Sequence, residues 1–141
     1  MKVGIPLSWR NIKERYNLIG SHCEACNSDY FPMRKICPKC RRKGKIIEKK
    51  FDGNGTIESY TIVYAPSTGF SLKAPYALAL IKIENGPMVM GMVEDIDFNN
   101  EEEKNKLKIG AKVESTYRKW LDEEDGGLIH YGFAFRLVDL D

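Results

Sequence analysis

The chain is poor in the groups that most enzymes use. It has two histidines, His22 and His130, far apart in sequence, and its four cysteines all fall in two C-x-x-C pairs. A nucleophile–base couple therefore has almost nothing to draw on, and no free cysteine is left over. No apolar run approaches the roughly twenty residues of a membrane span. The start, Met1-Lys-Val-Gly-Ile-Pro-Leu7, does not resemble a secretory signal, so two disulfides in an oxidising compartment are disfavoured. The expectation is a cytoplasmic protein without a membrane partner. At 141 residues it is one ordinary domain, or one small domain plus a metal-stapled module.

What is present is organised around Cys23-Glu-Ala-Cys26 and Cys37-Pro-Lys-Cys40, with ten residues between the pairs. Each pair fits a tight knuckle that offers two thiolates to one tetrahedral ion. A soft divalent metal suits four thiolates, and structural zinc is the expected cofactor. A single iron, as in rubredoxin, is the competing choice. Rubredoxin-like knuckles usually place Gly just after the second Cys, where this chain has Asn27 and Arg41. Asn tolerates the left-handed backbone needed there and Arg does so poorly, which favours zinc in a ribbon. Four thiolates complete the tetrahedron, so His22 beside Cys23 is read as a bystander.

The formal net charge of +2 hides an asymmetry: residues 1–50 hold 13 Lys/Arg against 4 Asp/Glu, whereas residues 51–141 hold 9 against 16. A basic first half attracts phosphates, and an acidic second half repels a nucleic-acid backbone. The densest positive stretch is Arg41, Arg42, Lys43 and Lys45. It is the candidate contact for phosphates, of nucleic acid or of a phosphorylated cofactor, unless it merely solvates the connector between modules.

Along the chain, an extended lead ends at Pro6–Leu7 and Ser8 is placed to cap a short helix from Trp9 to Tyr16. Trp9, Ile12 and Tyr16 share one face. That face either packs on the protein's own body, the commoner case, or anchors a partner, an alternative raised because a tiny ribbon leaves little body beside it. The stretch 18–22 reads as a strand leading into the first knuckle. Five further strands are expected at 56–64, 76–84, 88–93, 112–119 and 128–138, with a helix at 99–107. Asn85-Gly86 marks a hairpin, and Glu124 to Gly127 a turn. In the last strand Ile129, Tyr131, Phe133, Phe135 and Leu137 are expected inward. In the loop from Ala65 to Pro75, Phe70 either closes over a ligand or partner, or folds back on its own core. The predicted fold is mainly β: an N-terminal helical segment (1–20), a rubredoxin-like zinc ribbon (21–50) and a five-stranded OB-fold barrel (51–141).

Those elements carry a resemblance. Trp9-Arg10, Arg15-Tyr16, Leu18-Ile19-Gly20, both cysteine pairs, Tyr30-Phe31-Pro32 with Arg34, Gly53 with Gly55-Thr56, Tyr60-Thr61, Ala74-Pro75-Tyr76 and Ile109-Gly110 with Lys112-Val113 resemble a family of acyl-CoA-associated proteins. That family, formerly a domain of unknown function, joins a rubredoxin-like zinc ribbon to a C-terminal OB fold, and the resemblance spans nearly the whole chain. It implies an accessory subunit that is not itself an enzyme. The partners it implies are thiolase-fold enzymes, in archaea acetoacetyl-CoA thiolase and hydroxymethylglutaryl-CoA synthase at the entry to the mevalonate route. In that setting the small protein looks like a bridge through which acetoacetyl-CoA passes between neighbouring sites. Trp9, Ile12, Tyr16 and Phe70 are then candidate partner contacts, and CoA is shared with the partner enzymes. The alternatives are a nucleic-acid-binding ribbon/OB module, disfavoured by the acidic barrel half, and a rubredoxin-like electron carrier.

Overall fold

The computed structural model describes residues 5–67, 70, 73–122 and 129–138. Two one-and-a-half-turn helices come first, α1 (Ile5–Arg10) and α2 (Ile12–Asn17). The helix thus starts before Ser8, which is internal to α1 instead of capping it, because Pro6 fits a first turn where its missing N–H has no helical acceptor to lose. At Asn11 (φ −97°, ψ 10°) the two pieces part. Leu18 then takes a left-handed conformation (φ 52°) and turns the chain into the ribbon.

The ribbon is a three-stranded antiparallel sheet of β1 (Ile19–Cys23), β2 (Ser28–Tyr30) and β3 (Ile46–Lys50), in the order β2-β1-β3. It buries few apolar side chains of its own. The second unit is a closed barrel of β4 (Gly55–Val63), β5 (Tyr76–Ile83), β6 (Met88–Glu94), β7 (Lys112–Asp122) and β8 (Ile129–Leu137), in the order β4-β5-β6-β8-β7. All neighbours are antiparallel except β6 and β8, which run parallel at Val93↔Phe135 and Glu94↔Arg136, the connectivity of an OB barrel. The hairpin β5–β6 turns at Asn85, whose φ of 53° is the left-handed value that an Asn-Gly turn needs. A short helix α3 (Glu101–Lys106) links β6 to β7, with the Asn100 side chain accepting from the Glu102 amide as its N-cap. Strand positions agree with the alternation in the sequence, and the turn expected at Glu124 to Gly127 lies outside the described residues.

The barrel core is built from Ile57, Ile81, Ile83, Val89, Val93, Val113, Phe133 and Phe135, and it takes in Leu18 and Phe51 from the ends of the ribbon. Ribbon and barrel therefore share one core. The Phe51 amide donates to the Leu18 carbonyl (3.2 Å), Phe31 meets Phe133 edge-on with centroids 5.4 Å apart, and Lys49 Nζ reaches both Asp29 Oδ2 (2.9 Å) and the Asn85 carbonyl of the barrel hairpin (3.2 Å).

One inward assignment on β8 is corrected. Phe133 and Phe135 are buried, but Ile129 and Tyr131 are 50% and 38% exposed. The register of β7 against β8 shifts between Lys119 and Leu121, where Trp120 lies over Gly132 and donates from Nε1 to the Phe133 carbonyl (2.9 Å). Ile129 lies past that shift, whereas Tyr131, still paired with Lys119, and Tyr117 lie just before it, and there the aromatic side chains meet the N-terminal helices. Tyr16 packs edge-on against Tyr117 (5.2 Å), and Tyr117 stacks on Tyr131 (5.5 Å). The helix thus has the barrel beside it and not only the ribbon, and at Tyr16 its face packs on the protein's own body.

Candidate metal centre and docking face

The two knuckles close on each other. Sγ atoms of Cys23, Cys26, Cys37 and Cys40 all lie within 4.8 Å of one another, Cys23 and Cys37 buried and the other two half-buried. Around a tetrahedral ion with metal–sulfur bonds of about 2.3 Å, sulfurs sit about 3.8 Å apart, so this set could hold one such ion. The local backbone explains the convergence. Asn27 (φ 52°) and Arg41 (φ 53°) both adopt the left-handed turn after their pairs, so Arg41 does accept the conformation it was expected to resist. The Arg41 amide donates to the Cys37 carbonyl (2.7 Å) and the Gly44 amide to the Arg41 carbonyl (3.2 Å), bonds that offset the strain of a Cβ in that region. Gly44 leaves the room: a Cβ there would stand 2.7 Å from Cys37 Cβ and 3.3 Å from Cys23 Sγ.

Electrostatics fit the same ion. The Tyr30 hydroxyl (3.4 Å) and the Cys40 amide (3.3 Å) lie against Cys37 Sγ, and the Tyr30 contact leads in lowering that thiol to about 6. Cys40 is pushed up to about 12, first by Cys26 and then by burial and the other two sulfurs. Four thiolates this close repel one another until a cation sits among them. His22 stays outside the cluster, its Nδ1 2.7 Å from Asp29 Oδ1.

Arg41, Arg42 and Lys43 are exposed on the turn after the second knuckle, while Lys45 is ion-paired to Glu24 (2.6 Å). Phe70 lies elsewhere, in the β4–β5 connection, tilted against Tyr76 with centroids 5.9 Å apart. The helix face divides. Tyr16 is engaged with the barrel tyrosines, whereas Trp9 is 73% exposed. Ile5 and Ile129 border the same surface as Trp9, Leu7 is exposed on another side of α1, and none of the three was read as a partner contact in the sequence. Ile5 sits one turn before Trp9 and could have been found once the helix was started at Pro6. Ile129 could not, since its strand alternation pointed inward.

Comparison with known proteins followed the same division of the chain. The description "ChsH2, rubredoxin-like zinc ribbon domain" matches residues 10–45, and "ChsH2, C-terminal OB-fold domain" matches residues 48–118. The chain is similar to a DUF35 domain-containing scaffold protein of Methanothermobacter thermautotrophicus, 43% identical over 129 residues that cover 92% of each chain. It is similar to another of that description from Methanocaldococcus jannaschii, 39% identical over 132 residues, covering 94% of this chain and 89% of the relative. Among solved structures, an Ltp2-ChsH2(DUF35) aldolase shares the fold at a TM-score of 0.64 and 22% identity, with 97% and 96% of the two chains covered. Among the described residues no helix is long and apolar enough to cross a membrane.

Proposed function

The chain belongs to the DUF35 family of ChsH2-type zinc-ribbon and OB-fold proteins, and on that premise we propose that it is a non-catalytic scaffold bridging acetoacetyl-CoA thiolase and hydroxymethylglutaryl-CoA synthase. The relatives named as scaffold proteins support the role. The observation that carries it is the pair Ile5 and Trp9, one turn apart on α1 and 67% and 73% exposed, mounted on a body whose two modules share a core. Large apolar side chains left in water on a rigid body suit attachment to another protein. In this reading residues 1–20 attach, 21–50 form the ribbon and 51–141 form the barrel module.

Cys23, Cys26, Cys37 and Cys40 hold a structural zinc ion, which supplies no chemistry beyond fixing the two knuckles. Trp9 and Ile12 contact a partner, Tyr16 braces them on the barrel, and Phe70 is a second contact in the β4–β5 connection. Arg41, Arg42 and Lys43 meet phosphates of CoA carried by a partner enzyme, with Lys45 held to one side by Glu24. Holding two acyl-CoA enzymes together draws the product of an unfavourable condensation into the next reaction.

The test is affinity purification of the tagged protein from its native host at moderate salt, with metal analysis of the same sample. The reading expects both enzymes in fixed ratio and one zinc per chain. Elution alone or with RNA overturns the scaffold role, and a red, iron-containing protein overturns the zinc assignment.

A further inference from the structure

A cleft of about 190 Å³ lies between the N-terminal helices and the outer half of β8, walled by Ile5, Trp9, Ile12, Ile129 and Tyr131. Its size bears on what it holds. Cofactor-sized ligands need roughly 300–1,000 Å³, so the nucleotide and pantetheine arm of a CoA do not fit, whereas one bulky side chain does. The walls are in place but unfilled: Trp9, Ile5 and Ile129 are each at least 50% exposed.

Among the described residues Arg15 and His130 line the cleft, and no carboxylate does. Arg10 stands exposed on the last turn of α1. Lys13 is drawn away to Glu48 (3.4 Å), and Glu14 is the acid that α2 carries. At the floor the Ser8 hydroxyl is buried with no hydrogen-bond partner among the described residues, a group that gains when a polar atom arrives with the occupant. Trp and Arg around a small apolar socket are the residue types that dominate binding energy at protein interfaces.

We infer that this cleft is the socket for one bulky apolar side chain of a partner protein, borne on a segment with Asp or Glu beside it. The inference rests on the scaffold reading and deepens it: the anchoring residue belongs to one of the two bridged enzymes, its carboxylate pairs with Arg10 or Arg15, and a backbone group at the anchor meets Ser8. Tyr16 is a positioning residue, holding α2 on Tyr117 so that the cleft stays open.

Fluorotryptophan incorporated into the full-length protein gives fluorine resonances for its two tryptophans, assigned with Trp120→Phe. Purified acetoacetyl-CoA thiolase and hydroxymethylglutaryl-CoA synthase are then added separately. The expected result is that one enzyme shifts the Trp9 signal and leaves Trp120 in place. Trp9→Ala should weaken that enzyme's binding on the order of 30-fold or more, the size of an interface hot spot. Arg15→Glu should weaken it by about tenfold and flatten its salt dependence. Metal content and thermal transition serve as folding controls, and Trp9 is exposed enough for its removal to spare the fold. Wild-type affinity in Trp9→Ala, or an unmoved Trp9 signal in a formed complex, overturns the socket and leaves the scaffold standing. Failure of both enzymes to bind the wild-type protein overturns the scaffold reading, and the socket with it.

Discussion

Stripping the metal should weaken the barrel as well as the ribbon. Without an ion the four clustered sulfurs lose their common ligand and the knuckles open. The ribbon strands lack an apolar core of their own, and their ends supply Leu18 and Phe51, each 3% exposed, to the barrel core. Uncovering the two costs about 1.5–3 kcal/mol each, hence about 3–6 kcal/mol together. In a barrel of this size each kcal/mol corresponds to roughly 4–8 °C, so its transition should fall by roughly 12–48 °C. Thermal unfolding with and without a strong chelator, followed by far-UV circular dichroism and by near-UV signals of the barrel aromatics, measures it. Hydrogen exchange should show β4 and β5 losing protection where they face Phe51. A barrel transition that moves by less than about 4 °C after complete metal removal would refute the shared-core argument.

Two further perturbations probe other parts. Asp29 is half-buried between His22 and Lys49; burial opposes its ionisation, but the hydrogen bonds from Lys49 and His22 outweigh this and hold its carboxyl below the usual carboxylate range. Its contribution to stability is therefore present above the unfolded value near pH 4 and lost as pH falls through the lower folded value. Asp29→Asn should flatten the acid limb of urea-denaturation stability, and an unchanged limb would exclude this pair as its source. Gly132→Val should cost about 1–3 kcal/mol, because a Cβ there stands 2.8 Å from the Trp120 ring. Chemical denaturation would read that loss, and a neutral effect would mean that the indole is free to move aside.

Much of this architecture was legible because it is written locally. Alternation along 76–83 and 88–94, the Asn85-Gly86 turn and the cysteine spacing each depend on residues close in sequence. What escaped depends on distant partners. Ile129 lies past a register shift on the neighbouring strand at Trp120, and Tyr131 is drawn into a stack with Tyr117 under Tyr16, neither of which any pattern within β8 reports. Leu18 read as part of the N-terminal segment and Phe31 as a ribbon residue, yet both pack on the barrel core. The break at Asn11 was hidden because Trp9, Ile12 and Tyr16 keep a helical period across it. At the metal centre the four ligand candidates were plain, while the Tyr30 hydroxyl against Cys37 is a contact that only the folded ribbon brings together.

The joint at Leu18, Phe31, Phe51 and Lys49 has a bearing on transport between bound enzymes. Two modules on a flexible tether would let their cargo-bearing partners wander, and the local concentration of one active site seen from the other would fall steeply with tether length. A fused joint behaves instead as a strut of fixed length and angle. In the proposed scaffold, the distance a released intermediate travels would then be set once, by the shape of the strut, and would be the same in every copy of the assembly. Loosening this joint by truncating Phe51 would cost the barrel part of its core and, in the proposed scaffold, would convert a defined passage into diffusion through open solvent.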